Sequence, residues 1–261
     1  MTPTSTTASS ATSSVFFEFP ARAYLEKYYS EVGIENAAFL SSITDYLAPR
    51  SVPTDRVIEV AGGPSLFSLA AIAATRGRAF RQVTFTDVGW RNLGEVDSWL
   101  RDDPRQFDYE PLFEWLHAEV GADGATLIDS LRRSSFDLVN FDWRNELPAE
   151  WLCAYDVVSS HFFAESATDD EQELVSLLHK VGRLGRPGSV FLLSFMCRSS
   201  GYRIAHQEFP AFDIDESNVW NYLERAGLIL EDRDLKTVPT EDPASYPGYD
   251  GMLFIGGRLA G

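Results

Sequence analysis

The chain has 261 residues, 44% of them hydrophobic and 13% aromatic, enough apolar material for a folded core, which excludes a disordered protein. Its formal net charge of -17 would repel phosphate backbones and acidic lipid surfaces, so no nucleic-acid partner and no membrane partner are expected. The same field suits a positively charged substrate or cofactor.

The first 14 residues are rich in Ser and Thr, with neither a basic start nor an apolar stretch, and are expected to be a disordered tail. No later apolar run approaches the ~20 residues that span a bilayer, which points to a cytoplasmic protein. Residues 15–261 are read as a single domain whose N-terminal part, 15–50, is helical. It opens with the tyrosine-dense RAYLEKYY (22–29) and continues from Asn36 to Leu47, where Pro49 and Pro53 stop it. Short apolar runs then alternate with amphipathic ones. RVIEV (56–60) is a strand, AGGPS turns into a helix over 66–75, and QVTFTD (82–87) is a second strand followed by a helix containing Leu93 to Leu100. FDLVNF (136–141) and YDVVSSHF (155–162) are two further strands. The spacing of Leu174, Leu177, Leu178 and Val181 makes a helix over 169–181, and VFLLSFM (190–196) is apolar enough to be buried on both faces. A helix over 216–225 and a strand over 252–259 end the chain. The fold class is therefore α/β, a mostly parallel sheet with helices on both faces. Ligands of such sheets lie beyond the carboxyl ends of the strands, so function should gather in loops 61–65, 87–92, 141–144, 159–166 and 197–203.

Those loops carry nucleoside chemistry. Ala61-Gly62-Gly63 follows the first strand and opens a helix, so backbone N–H groups can approach a ligand closely, with Glu59 adding a carboxylate beside them. Asp87, ending the second strand, can accept from both hydroxyls of a ribose, and Asp142-Trp143 can set a carboxylate and an indole against a base. Glu165 lies past the fourth strand, where a catalytic group would face a substrate, although it also reads as a helix-start acid. These features leave a nicotinamide dinucleotide and a sulfonium nucleoside both open. The absence of the G-x-G-x-x-G pyrophosphate pattern and the acid at Glu59 favour the second. Cys153 and Cys197 sit in apolar stretches and are expected to be buried free thiols, and the four histidines have no metal-ligand spacing, so no metal is expected.

Three segments carry a resemblance: FPARAYLEKYY (19–29), VIEVAGGPSLFSL (57–69) and TFTDVGWRNLGEVDSWLRDDPRQFDYEP (84–111), with RSSGYRIAHQEF (198–209) as a fourth. With them the chain resembles, from about Phe19 to Leu259, the small-molecule methyltransferases that include the nicotinamide, phenylethanolamine and indolethylamine N-methyltransferases and the thioether enzymes. The resemblance implies a Rossmann-like class I methyltransferase fold, S-adenosyl-L-methionine as cofactor (S-adenosyl-L-homocysteine as its product), a small-molecule methyl acceptor, and a monomer or weak dimer. It implies Tyr24, Tyr28 and Tyr29 as a lid over the cofactor, Glu59, Ala61, Gly62, Gly63 and Phe67 around its methionine part, and Asp87 and Asn92 at the ribose. Asp142 and Trp143 would flank the adenine, Ser160 would lie beside the sulfonium, and Tyr202, Tyr246, Tyr249 and Asp250 would line the acceptor pocket. Glu165 is the candidate catalytic residue, as a base or as the group that binds an ammonium. The chain departs from the family at Ala61, which stands for a glycine, at Glu59, one methylene longer than the usual aspartate, at Phe67, which stands for a tyrosine, and at Val88, which stands for an aromatic residue. Nineteen of its 22 basic residues are arginine, the usage of a GC-rich bacterial gene, where such enzymes serve specialised metabolism.

Overall fold

A computed structural model describes residues 16–204, 207–240 and 249–261. Two helices, α1 (Ala21–Tyr28) and α2 (Ile34–Leu47), precede the alternating part of the chain. There follow β1 (Arg56–Val60), α3 (Phe67–Arg76), β2 (Gln82–Asp87), α4 (Trp90–Leu100), α5 (Glu110–Val120), α6 (Gly124–Arg133) and β3 (Phe136–Asn140). The second half holds β4 (Tyr155–His161), α7 (Glu171–Gly182), β5 (Gly185–Cys197), a hairpin of β6 (Gly201–Ile204) and β7 (Gln207–Pro210), α8 (Val219–Arg225), β8 (Leu230–Pro239) and β9 (Gly251–Leu259).

Seven strands form one sheet in the order β3-β2-β1-β4-β5-β9-β8, parallel from β3 through β5 and closed by the antiparallel β9 and β8. The chain runs outward from β1 to β3 on one side, then returns to build β4 and β5 on the other. The strand order thus reverses between β1 and β4, and a crevice opens there at their carboxyl ends. One buried cluster packs α2, α3, α5 and α6 on one face of the sheet through Leu40, Leu69, Phe85, Leu116 and Leu131. The other packs α7 and α8 through Ile58, Leu174, Leu178, Phe191 and Leu223. The mostly parallel sheet with helices on both faces is as the sequence pattern requires.

The structure adds elements that the pattern reading did not include. Helices α5 and α6 carry a helical stripe (Leu112, Phe113, Leu116; Leu127, Leu131) and were hidden by the loop motif that precedes them. β8 (LEDRDLKTVP) is a charged edge strand with no apolar run to mark it. One expectation is corrected: both cysteines are free, but only Cys197 is buried. Cys153 is exposed in the turn before β4, with a left-handed φ of 52°, because its flanking apolar residues belong to different elements. The expected tail over 1–14 lies outside the described residues.

Candidate active site

The crevice is a cavity of about 570 Å³, and every one of the five strand-end loops contributes to its wall. Each loop's shape follows from packing. At Gly62 a side chain would meet the Phe85 ring and the Glu59 side chain at 2.5 and 2.6 Å, so glycine is needed there for the fit against β2. Gly63 has φ +62° with open space around its Cα, and Ala61 takes φ 48°, a left-handed conformation that costs an L-residue on the order of 1 kcal/mol. The strain at Ala61 is held by Thr86. Its hydroxyl accepts from the Ala61 N–H (3.1 Å) and the Trp143 indole (3.2 Å) and donates to the Glu59 carbonyl (3.0 Å), so one side chain joins three loops. From behind, Tyr109 donates to the Pro64 carbonyl at 2.9 Å, which gives the FDYEP segment its role as a prop for the glycine loop.

Asp87 is buried, and its carboxylate is already engaged by protein N–H groups. Oδ1 accepts from Gly89 N (2.7 Å) and Asn92 Nδ2 (3.0 Å), Oδ2 from Gly63 N (2.9 Å). Burial raises its pKa, while these three donors oppose the rise. Oδ2, with a single donor, retains a lone pair that a ribose hydroxyl could use. Glu59 is more exposed to the consequence of burial. Desolvation pushes its carboxyl up to about 7, the nearby Ser159 and Ser68 hydroxyls only partly offsetting it, and its Oε2 is buried without a hydrogen-bond partner. A buried, unpaired carboxylate oxygen on the wall of a cavity can receive a cation.

Above the glycine loop stand Tyr24 and Tyr28 of α1 and Tyr29, which caps its C-terminus. Tyr24 packs on Tyr28 and Tyr29 (ring centroids 5.0 and 5.5 Å), and Tyr29 meets Phe67 edge-on at 4.6 Å. Burial raises the Tyr24 and Tyr29 phenols, so both are neutral donors. Arg22 ties the helix to the molecule through Glu95 (3.1 Å) and the Arg105 carbonyl (2.8 Å). The β6–β7 hairpin closes the other side, where Tyr202 stacks on Phe209 at 4.9 Å, and Phe209 in turn packs on Phe19 at 5.3 Å.

Of the residues named from sequence, Tyr24, Tyr28, Tyr29, Glu59, Ala61, Gly62, Gly63, Phe67, Asp87, Asn92, Asp142, Trp143, Tyr202 and Tyr249 line this one cavity. Tyr246 lies outside the described residues. Three others are not on its wall. Ser160 is buried in β4 between β1 and β5. Asp250 is exposed and paired with Arg198 at 2.9 Å. Glu165 is fully buried behind Met196, whose N–H it accepts at 2.9 Å, and burial holds its pKa up at about 8. The sequence reading missed His161, the last residue of β4. Both of its ring nitrogens are 2.9 Å from serine hydroxyls, Nε2 from Ser159 and Nδ1 from Ser194, and burial pulls its pKa down to about 3. It is a neutral imidazole on the cavity floor, edge-on to Phe39 at 4.7 Å. Its place at a strand end was the available signal.

The sequence profile of the NNMT/PNMT/TEMT family matches residues 8–259. The chain belongs to this family. Human nicotinamide N-methyltransferase is 25% identical over 224 residues, covering 82% of this chain and 83% of that protein. Rhesus macaque phenylethanolamine N-methyltransferase is 24% identical over 274 residues, 99% and 95% of the two chains. Among solved structures, the magnesium protoporphyrin IX methyltransferase of Synechocystis, with bound S-adenosylmethionine, aligns with a TM-score of 0.59 at 11% identity, covering 98% of this chain and all of that one. The fold is that of the class I methyltransferases, the cofactor is S-adenosylmethionine, and the chain is an S-adenosylmethionine-dependent methyltransferase. The residues present fit that cofactor, since the wall offers an unpaired carboxylate, a ribose-type aspartate and an indole, one from each of three adjoining strand ends. Among the described residues no cluster of metal-ligating side chains occurs and no helix is long and apolar enough to cross a membrane.

Proposed function

We propose that this enzyme transfers a methyl group to a nitrogen of a small amine or aromatic N-heterocycle. The observation that carries this reading is the division of the cavity. Its glycine-loop end holds the carboxylates Glu59 and Asp87, and its other end is aromatic, formed by Phe39, His161, Phe162, Tyr202 and Tyr249, with the Glu35 carboxylate accepting from the Tyr249 hydroxyl at 3.4 Å. A cavity of about 570 Å³ must hold the cofactor as well, which restricts the acceptor to a small molecule. The relatives named for nicotinamide, phenylethanolamine and indolethylamine, all N-methyltransferases, support nitrogen as the acceptor atom.

The bound cofactor supplies a methyl group on a cationic sulfur. The chain's own residues do the rest by holding and enclosing. Glu59 takes the ammonium, Asp87 and Asn92 the ribose, and Asp142 and Trp143 the adenine, while Tyr24, Tyr28 and Tyr29 cover the site and exclude water. Such positioning contributes on the order of 7–11 kcal/mol in well-oriented reactions. The acceptor nitrogen must be uncharged to react. The aromatic floor with its neutral His161 favours that form, because an ammonium set there would lose its hydration. Glu165, protonated near neutral pH and set behind Met196, supports the wall in this reading and is not the base. Asp250 and Ser160 have no direct part in it.

The test is a methyl-transfer screen of small amines, azaarenes and phenols with the product atom assigned by mass spectrometry and NMR. Methylation of phenols alone would replace the reading with O-methyl transfer. Binding of S-adenosylhomocysteine with no turnover on any class would replace it with a binding protein, for which Ala61 and Phe67 are the departures to examine first.

A further inference from the structure

Lys180 is one of three lysines in the chain, and it sits in the last turn of α7, away from the cavity wall. Its ammonium nevertheless donates to three successive backbone carbonyls, those of Trp143 (2.8 Å), Arg144 (2.9 Å) and Asn145 (2.9 Å). Three converging carbonyls repel one another unless a cation lies at their focus, so the turn after β3 keeps this shape only while Lys180 is there. A tight turn completes the shape, with Asn145 N–H on the Asp142 carbonyl and Arg144 N–H on the Asp142 carboxylate, both at 2.9 Å. This is the turn that presents Asp142 and Trp143 to the cavity.

Arg144, within the same turn, reaches the opposite wall. Its Nε donates to Glu173 at 2.8 Å and its Nη2 to the Ala167 carbonyl at 2.8 Å. Glu173 is fixed in turn by the Thr168 hydroxyl at 2.7 Å. Ala167 and Ser166 line the cavity next to Phe162 and Phe163, on the acceptor side. One guanidinium therefore bridges the 142–145 turn and the 162–168 segment, two loops that no shared strand pairing connects.

We propose that Lys180 and Arg144 are positioning residues for the cofactor: Lys180 sets the turn that holds the adenine, and Arg144 transmits the occupancy of that turn to the acceptor wall at 162–168. The proposal rests on the adenine lying against Asp142 and Trp143. Neither residue needs to touch a reacting atom. The consequence is that nucleoside binding orders the acceptor side before any acceptor arrives.

The experiment uses the full chain with S-adenosylhomocysteine as probe, read by calorimetry and by hydrogen exchange of backbone amides. In the wild type the probe should slow exchange in both 142–147 and 162–168. Lys180→Met should weaken the probe tenfold or more with exchange loosened at 142–147, and Lys180→Arg should recover affinity to within about threefold. Arg144→Met should keep protection at 142–147 and lose it at 162–168. Glu173→Gln, which leaves the Ala167 bond intact, should show an intermediate loss at 162–168 and serves if Arg144→Met does not fold. Unchanged affinity in Lys180→Met would overturn the first half, and retained protection at 162–168 in Arg144→Met the second. Probe binding to the wild type without protection at 142–147 would instead show that the adenine lies elsewhere, overturning the site reading and this proposal together.

Discussion

With Glu59 as the proposed receptor of the ammonium, cofactor binding is linked to pH, and the size of the link follows from its surroundings. An exposed glutamate titrates near 4.5, and burial raises this one to about 7. Below pH 4.5 both folded and unfolded chains carry the proton and nothing is lost. As the pH climbs from there the unfolded chain releases it first, so stability falls until the folded carboxyl ionises near 7, and stays lower above that. At about 1.4 kcal/mol per pKa unit the full cost in the empty protein is about 3 kcal/mol, an upper figure. The cofactor's ammonium reverses the preference by favouring the carboxylate, so binding near or below neutral pH must expel a proton. The affinity for S-adenosylhomocysteine, which keeps the ammonium, should rise by up to about tenfold per pH unit from about pH 5.5 and level off above about pH 7.5. Calorimetry in two buffers of different ionisation enthalpy should register the released proton as a buffer-dependent heat. Glu59→Gln should bind the probe at least tenfold more weakly at about pH 8, with no proton released, while its empty form melts higher than the wild type at that pH. A wild-type affinity flat from pH 5.5 to 8, or a Glu59→Gln variant that binds as tightly as the wild type, would refute the reasoning.

Three further outcomes follow from the same site. Thr86→Val keeps the shape but strands the Ala61 N–H, the Trp143 indole and the Glu59 carbonyl, and should cost about 2–4 kcal/mol in chemical denaturation with a parallel loss of probe affinity. Ala61→Gly removes a left-handed alanine at the price of a more flexible unfolded chain and should change stability by less than about 1 kcal/mol, whereas Ala61→Val, β-branched at φ 48°, should lose more than about 2 kcal/mol and the cofactor with it. Glu165→Gln mimics the protonated acid and should keep most of its turnover near neutral pH, and because burial raises the wild-type pKa from 4.5 to about 8, the wild type should lose stability as the pH rises from about 4.5 to about 8 while the variant holds its own through that range. A collapse of turnover in that variant at pH 7, with binding intact, would return Glu165 to the role of base.

Much of the site was legible because it is local. A strand, a glycine turn and a helix start are set by neighbouring residues, so 57–69 and 84–92 announced themselves, and the tyrosines of 24–29 were visible as a motif before their partners were known. The parallel α/β class followed from alternating apolar runs in the same way. What depends on residues far apart in the chain was not available. That Glu165 turns behind Met196 and not toward the cavity is decided by the β5 backbone 31 positions away. That Asp250 faces outward is decided by Arg198, and that Gly62 is needed because of the Phe85 ring is decided by the pairing of β1 with β2. His161 became a neutral floor residue only when β5 brought Ser194 beside it. The amino-acid order by itself determined which residue types stand at the strand ends, since backbone propensity and hydrophobic period act over a few residues. Only the tertiary structure decided which of those side chains reach the cavity and in what charge state, because burial and hydrogen-bond partners come from strands that meet across the sheet.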